Sequence, residues 1–306
     1  MKKVFVTGGN GFLGKFLIKK LSKYKYKIIS PSSKICDLKN ENSLKKYKDK
    51  FDYIFHLAAW TQAGDFCLKH PGEQWLINQK INTNVLNWWK EKQPQAKIII
   101  IGTSCSYSED SDFKENSYLR GEPIESLYTY AMTKRMLLQG VKAIQKQFKL
   151  KWICFVPSTL YGTNYHEDGR QMHFIFDLIR KIISGKYENK KVELWGNGYQ
   201  KREIIHVENF IDTMIKLLNK KNEIFNIGSG KEYTIKHFSK IISDILNYDH
   251  NKIFYDKTKY VGSKSKKLNI AKVTKIIKNY KKNLINEKKG IEEVIKWFLK
   301  KRLKKN

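Results

Sequence analysis

Short β-branched, apolar runs alternate with helical patterns through the first half of the chain. Residues 4–7 read as a strand, after which Phe12, Leu13, Phe16, Leu17 and Leu21 mark one face of a helix. Further strands are predicted at 27–30, 53–57 and 97–102. The last holds four consecutive isoleucines, as a strand buried on both faces does. A long helix is predicted from about 73 to 91 and another over 130–148, followed by a strand at 151–156. Strand–helix alternation of this kind predicts a parallel sheet covered on both sides.

After Pro157 the pattern loosens. The polar, glycine-containing stretch 158–171 reads as a loop, and helices are predicted at 172–184, 207–219 and 235–247. Ile291, Val294, Ile295, Phe298 and Leu299 fall at i, i+3, i+4, i+7 and i+8, the apolar stripe of an amphipathic helix. The expected fold class is α/β: a Rossmann-type doubly wound parallel sheet with a smaller C-terminal α/β domain. The expected division is a first domain over 1–165, to which part of 204–228 returns, and a second over 166–306.

Composition narrows the class. With 306 residues and 41% apolar content the chain can bury a sizeable core. No run of 18 apolar residues is present and Met1-Lys2-Lys3 leads straight into the first strand, so neither a membrane span nor a secretory signal is expected. Four widely spaced cysteines include no CxxC pair, which argues against a zinc site or a disulfide framework and for a cytoplasmic home. The net charge is +31, yet only six of the 60 basic residues are arginine, and the lysines are scattered. Readers of base edges lean on the planar arginine fork, so this charge reads as a solvated surface that favours an anionic substrate over nucleic acid.

Thr7-Gly8-Gly9-Asn10-Gly11-Phe12-Leu13-Gly14 follows the first strand and opens the first helix. Glycine at the turn allows positive φ, missing Cβ atoms admit a pyrophosphate, and the helix N-terminus favours its charge. The spacing Gly8-x-x-Gly11-x-x-Gly14 resembles the extended short-chain dehydrogenase/reductases, the NAD-dependent epimerase/dehydratase family, and the resemblance runs from residue 3 to about 275. It implies cofactor contacts at Gly8, Gly11, Phe12 and Leu13, at Asp37 and Leu38 beside the adenine, at Leu57, Ala58 and Ala59 in a small-residue turn, and at Asn78. The expected cofactor is NAD, with NADP still open: 30–34 (Ser-Pro-Ser-Ser-Lys) offers no carboxylate to a ribose hydroxyl, and Lys34 is the only cation there.

Tyr130 and Lys134 stand at i and i+4, one turn apart on one helical face. A nearby ammonium lowers the pKa of a phenol, so the pair suits proton exchange with a sugar hydroxyl as hydride moves. The resemblance adds that Lys134 holds the nicotinamide ribose. It also picks Thr103, four residues before Tyr107, as the hydroxyl that orients substrate, with Ser104 in reserve. Ser104 and Cys105 occupy the places where the family's dehydratases carry a carboxylate, which argues against dehydration.

The second half resembles the GDP-L-fucose synthase branch through Leu194-Trp195-Gly196-Asn197-Gly198 and the run 201–207 (Lys-Arg-Glu-Ile-Ile-His-Val). That implies Trp195 near the base, Arg202 on a diphosphate oxygen and Lys266 as a substrate-binding lysine. Cys105 and His173 match the branch's acid/base pair for epimerisation at C3 and C5, although packing would equally explain both. The glycine loop and the segment 60–65 depart from the branch. The expected function is therefore NAD(P)-dependent hydride transfer at C4 of a GDP-linked manno-type hexose or heptose, as a 4-dehydrogenase or 4-reductase. A 3,5-epimerase/4-reductase, a 4-epimerase and a cofactor-sensing nucleic-acid binder stay open as alternatives. The resemblance also implies a homodimer through the helices at 73–91 and 130–148, with no membrane or nucleic-acid partner. Trp88 and Trp89 suit either that face or the core.

Overall fold

The computed structural model describes residues 1–259 and 261–303, so the last three residues of the expected second domain lie outside the described residues. In chain order the elements are β1 Lys3–Thr7, α1 Phe12–Ser22, β2 Lys27–Ile29, β3 Tyr53–His56, α2 Phe66–Lys69, α3 Pro71–Lys92, β4 Lys97–Ile101, α4 Tyr128–Phe148 and β5 Trp152–Pro157. There follow β6 Thr159–Tyr161, α5 Phe174–Glu188, β7 Val192–Trp195, β8 Lys201–Arg202, β9 Ile204–His206, α6 Val207–Lys216, β10 Glu223–Ile227, β11 Tyr233–Thr234, α7 Ile235–Leu246, β12 Ile253–Asp256, α8 Ala271–Ile276 and α9 Glu287–Leu303.

The chain divides into two compact units. The first joins Met1–Thr61, Asp65–Pro157 and Ile211–Ile227; the second joins Gln62–Gly64, Ser158–Phe210 and Gly228–Asn306. Residues 158–165, ahead of the boundary expected from sequence, therefore cluster with the second unit, while 211–227 return to the first.

The first unit is a six-stranded sheet in the order β10-β5-β4-β3-β1-β2, parallel throughout. All four isoleucines of β4 are buried, as their unbroken run predicted. Trp88 and Trp89 are core residues. The Trp88 ring lies 4.9 Å from that of Phe5, and the Trp89 indole donates to the Ala96 carbonyl at 2.9 Å. Helices α3 and α4 pack together, while α1 is tied to α6 by Lys20–Asp212 at 2.6 Å, so the sheet carries helices on both faces.

The second unit holds two parallel strand pairs, β6–β9 and β7–β12, and one antiparallel pair, β8–β11. Strand β6 corrects the loop expected over 158–171. A strand of three residues leaves no periodicity to read, and only the pairing of Thr159 with Ile204 reveals it. Helix α5 runs to Glu188 rather than 184, and α6 stops at Lys216 rather than 219. Among the described residues no helix is long and apolar enough to cross a membrane.

Candidate active site

The loop between β1 and α1 is built so tightly that side chains are excluded from it. Gly8 has φ +71°, and a Cβ there would stand 2.8 Å from the Ala58 nitrogen. A Cβ on Gly14 would overlap the Gly8 carbonyl oxygen and come within 2.6 Å of the Gly9 Cα. The Gly11 N–H donates to the Gly8 carbonyl at 3.0 Å, which closes the turn and aims the first turn of α1 at the loop. This bare cradle at a helix N-terminus fits a pyrophosphate, with Gly8, Gly11, Phe12 and Leu13 placed to hold it.

A buried chain of hydrogen bonds fixes the neighbouring turn. The Thr7 hydroxyl accepts from the N–H groups of Leu57 and Ala58 at 3.1 Å and lies 2.9 Å from His56 Nδ1. The other ring nitrogen of His56 lies 3.1 Å from Asn82 Oδ1. Burial, with the Lys134 ammonium acting in the same direction, lowers His56 to about 4, so the ring is neutral. The hydrogen bonds assign the tautomer: Nε2–H donates to Asn82 and Nδ1 accepts from Thr7. Asn78 clamps the same segment, accepting from the Trp60 N–H and donating to the Trp60 carbonyl, each at 2.9 Å. Its amide therefore positions the turn that holds Ala58 and Ala59. Asp37 is exposed beside Lys39, and the Leu38 carbonyl accepts from Asn84 at 2.8 Å.

Tyr130 and Lys134 lie in the first two turns of α4, with the lysine nitrogen 5.9 Å from the tyrosine ring centroid. Thr103 follows β4; its side chain caps the 3-10 turn Ser104–Ser106 and hydrogen-bonds the Tyr130 side chain. The three expected catalytic groups are thus brought together. Burial pushes the Tyr130 phenol well above its ordinary value; Cys105 and Cys67 act in the same direction, and the Thr103 bond offsets this only in part. That corrects the expectation of a lowered phenol. Lys134 is itself desolvated, its amine driven down by burial to about 8.

The lysine shift has a testable consequence. The folded pKa lies below the 10.5 of an ordinary lysine, so this group costs stability below about pH 8 and relieves that cost as pH rises toward 10.5. The affinity of the free protein for an anionic dinucleotide is expected to decline as pH rises through about 8, where Lys134 loses its charge. Titration calorimetry across that range checks this, and a Lys134→Met variant should show no such decline.

Several positioning residues escaped the sequence reading. The Tyr118 hydroxyl, fully buried, accepts from the Thr103 N–H at 3.1 Å and from Ser106 at 3.0 Å. Arg135, next to the lysine on α4, donates to the carbonyls of Ser106, Arg120 and Gly121 and so holds the segment that carries Thr103 and Ser104. Its one visible signal was rarity, six arginines among 60 basic residues.

Within the second unit, His173 precedes α5 with its ring 6.1 Å from that of Tyr165. The imidazole itself is exposed. Trp195 ends β7, with 45% of its surface exposed. The Arg202 guanidinium donates to the carbonyls of Ser263 at 2.8 Å and Val261 at 2.9 Å. Its fork is engaged in holding a loop, a role the sequence did not assign it. Cys105 lies in the first unit, its N–H donating to the Thr103 side chain at 3.3 Å, and His173 belongs to the second.

A model of the NAD dependent epimerase/dehydratase family matches residues 4–228. The chain belongs to that family. It is therefore an NAD(P)-dependent enzyme, and the six-stranded parallel sheet is the family's Rossmann-type fold. The chain is similar to GDP-L-colitose synthase of Yersinia pseudotuberculosis, 28% identical over 308 positions that cover 97% of this chain and 98% of that protein. Among solved structures it resembles a GDP-L-fucose synthetase from Naegleria fowleri bound to NADP, with TM-score 0.86, 21% identity and coverage of 99% and 95%. It also resembles a GDP-6-OMe-4-keto-L-xylo-heptose reductase from C.jejuni, with TM-score 0.86, 20% identity and coverage of 98% of each chain.

Proposed function

We propose that the chain is an NAD(P)H-dependent reductase acting at C4 of a GDP-linked 4-keto sugar of manno type, hexose or heptose. One observation carries this reading: Tyr130, half-buried, hydrogen-bonded to Thr103 and one turn from Lys134, is a phenol that keeps its proton at neutral pH. A protonated phenol can give its proton to an alkoxide forming at C4, because an alkoxide is a far stronger base than a phenolate. The likeness to a heptose reductase favours reduction over oxidation. Thr103 orients the sugar oxygen, and Lys134 as an ammonium stabilises the phenolate left behind. With the dinucleotide's pyrophosphate on the glycine loop, its nicotinamide would supply the hydride. The GDP-sugar names of the relatives support the substrate class.

A second reading, a 3,5-epimerase/4-reductase, is favoured by the placement of Cys105, whose N–H donates to the Thr103 side chain at 3.3 Å, and by relatives named colitose and fucose synthases. One experiment tests both. The protein is incubated in deuterated water with a GDP-linked 4-keto-6-deoxymannose and NADPH. Consumption of NADPH with no deuterium at C3 or C5 supports the reductase. Deuterium at those carbons that vanishes in Cys105→Ser supports the second reading, and no consumption of NADH or NADPH with any 4-keto GDP-sugar refutes both.

A further inference from the structure

Three consecutive residues of the second unit all reach for one segment. The Lys201 N–H donates to the Lys264 carbonyl at 2.8 Å. Arg202 holds the carbonyls of Val261 and Ser263. Glu203 accepts the Leu268 N–H at 2.7 Å on one carboxylate oxygen and the Gly230 N–H at 2.6 Å on the other. Glu203 is 1% exposed, and a Cβ on Gly228 would collide with its carboxylate. Burial pushes its carboxyl up to about 7, against the pull of the N–H donors. A charge-bearing group held this deep is costly unless its bonds are used.

What the bonds hold is the segment 261–268, on which Lys266 stands. We infer that Glu203 is a positioning residue for nucleotide-sugar binding: its carboxylate pins Leu268 against Gly230 and so fixes where Lys266 meets the substrate anion. Arg202, expected to grip that anion itself, works on the same segment from the other end. This rests on the proposed reading of Lys266 as a substrate ligand. Glutamine at 203 keeps one acceptor oxygen but turns an amide N–H₂ toward a backbone donor, so one of the two pins is lost.

The test is calorimetric titration of the full-length protein with GDP-mannose as probe, and with NADPH as a control on the first unit. Glu203→Gln is expected to weaken GDP-mannose binding about tenfold or more and to leave NADPH affinity within about twofold. Lys266→Ala should weaken GDP-mannose comparably, and the double variant should bind little worse than Lys266→Ala alone, because both changes disable one contact. If Glu203→Gln does not fold, Glu203→Asp, which keeps the charge but shortens its reach, is expected to lose about threefold in the same selective way. Normal GDP-mannose binding by the Glu203 variant beside weakened binding by Lys266→Ala overturns the inference and leaves the function standing. Normal binding by Lys266→Ala overturns the reading of Lys266 itself. Equal losses for GDP-mannose and NADPH would show a merely structural role and also overturn the inference.

Discussion

Tyr130→Phe is expected to lower turnover by roughly 10²–10⁴-fold, the usual worth of a positioned proton donor, while leaving substrate and cofactor affinity within about threefold. The ring stays, so packing beneath it is preserved; the hydroxyl goes, and with it both the bond to Thr103 and the proton for C4. Steady-state kinetics on a 4-keto GDP-sugar separates the two effects. A loss confined to kcat is the signature of a group that acts in the transition state. Full activity in the variant would remove Tyr130 from the chemistry.

Gly14→Ala is the second change with a large expected effect. The added methyl would meet the Gly8 carbonyl oxygen and the Gly9 Cα, backbone atoms that move only if α1 withdraws from the loop. Alanine improves helix propensity by about 1 kcal/mol, but overpacking of this kind costs about 1–3 kcal/mol, so a net loss of stability of up to about 2 kcal/mol is expected. Dinucleotide binding should suffer more, by roughly 100-fold, because the displaced helix no longer aims its N-terminus at the pyrophosphate. Gly72, near the start of α3, is the control: a Cβ there has no heavy atom within 4 Å, so Gly72→Ala should be neutral or slightly stabilising. Denaturant unfolding and NADPH titration of the two variants check the contrast.

Much of the first unit was legible because its signals are local. Four isoleucines in a row announce a strand buried on both faces, and a glycine run between strand and helix announces a phosphate cradle. Tyr130 and Lys134 could be paired by helical arithmetic alone. What could not be read depends on contacts between distant segments. Strand β6 has three residues and exists by virtue of its partner β9. Tyr118 and Arg135 carry no motif meaning, and Glu203, though inside the run 201–207, has no role legible there, because their partners are backbone groups of loops that only folding brings near. The direction of the Tyr130 shift was misjudged for the same reason. Sequence showed the neighbouring ammonium but not the burial, and burial dominates.

Isotope transfer tests the central claim most directly. NADPH carrying deuterium at the reactive nicotinamide carbon is mixed with the protein and a 4-keto GDP-sugar, and the product is analysed by mass spectrometry and proton NMR. A single deuterium at sugar C4, absent when Tyr130→Phe replaces the native protein, is the predicted result. Product bearing no deuterium at C4, or deuterium transfer that persists undiminished without the phenol, would contradict it.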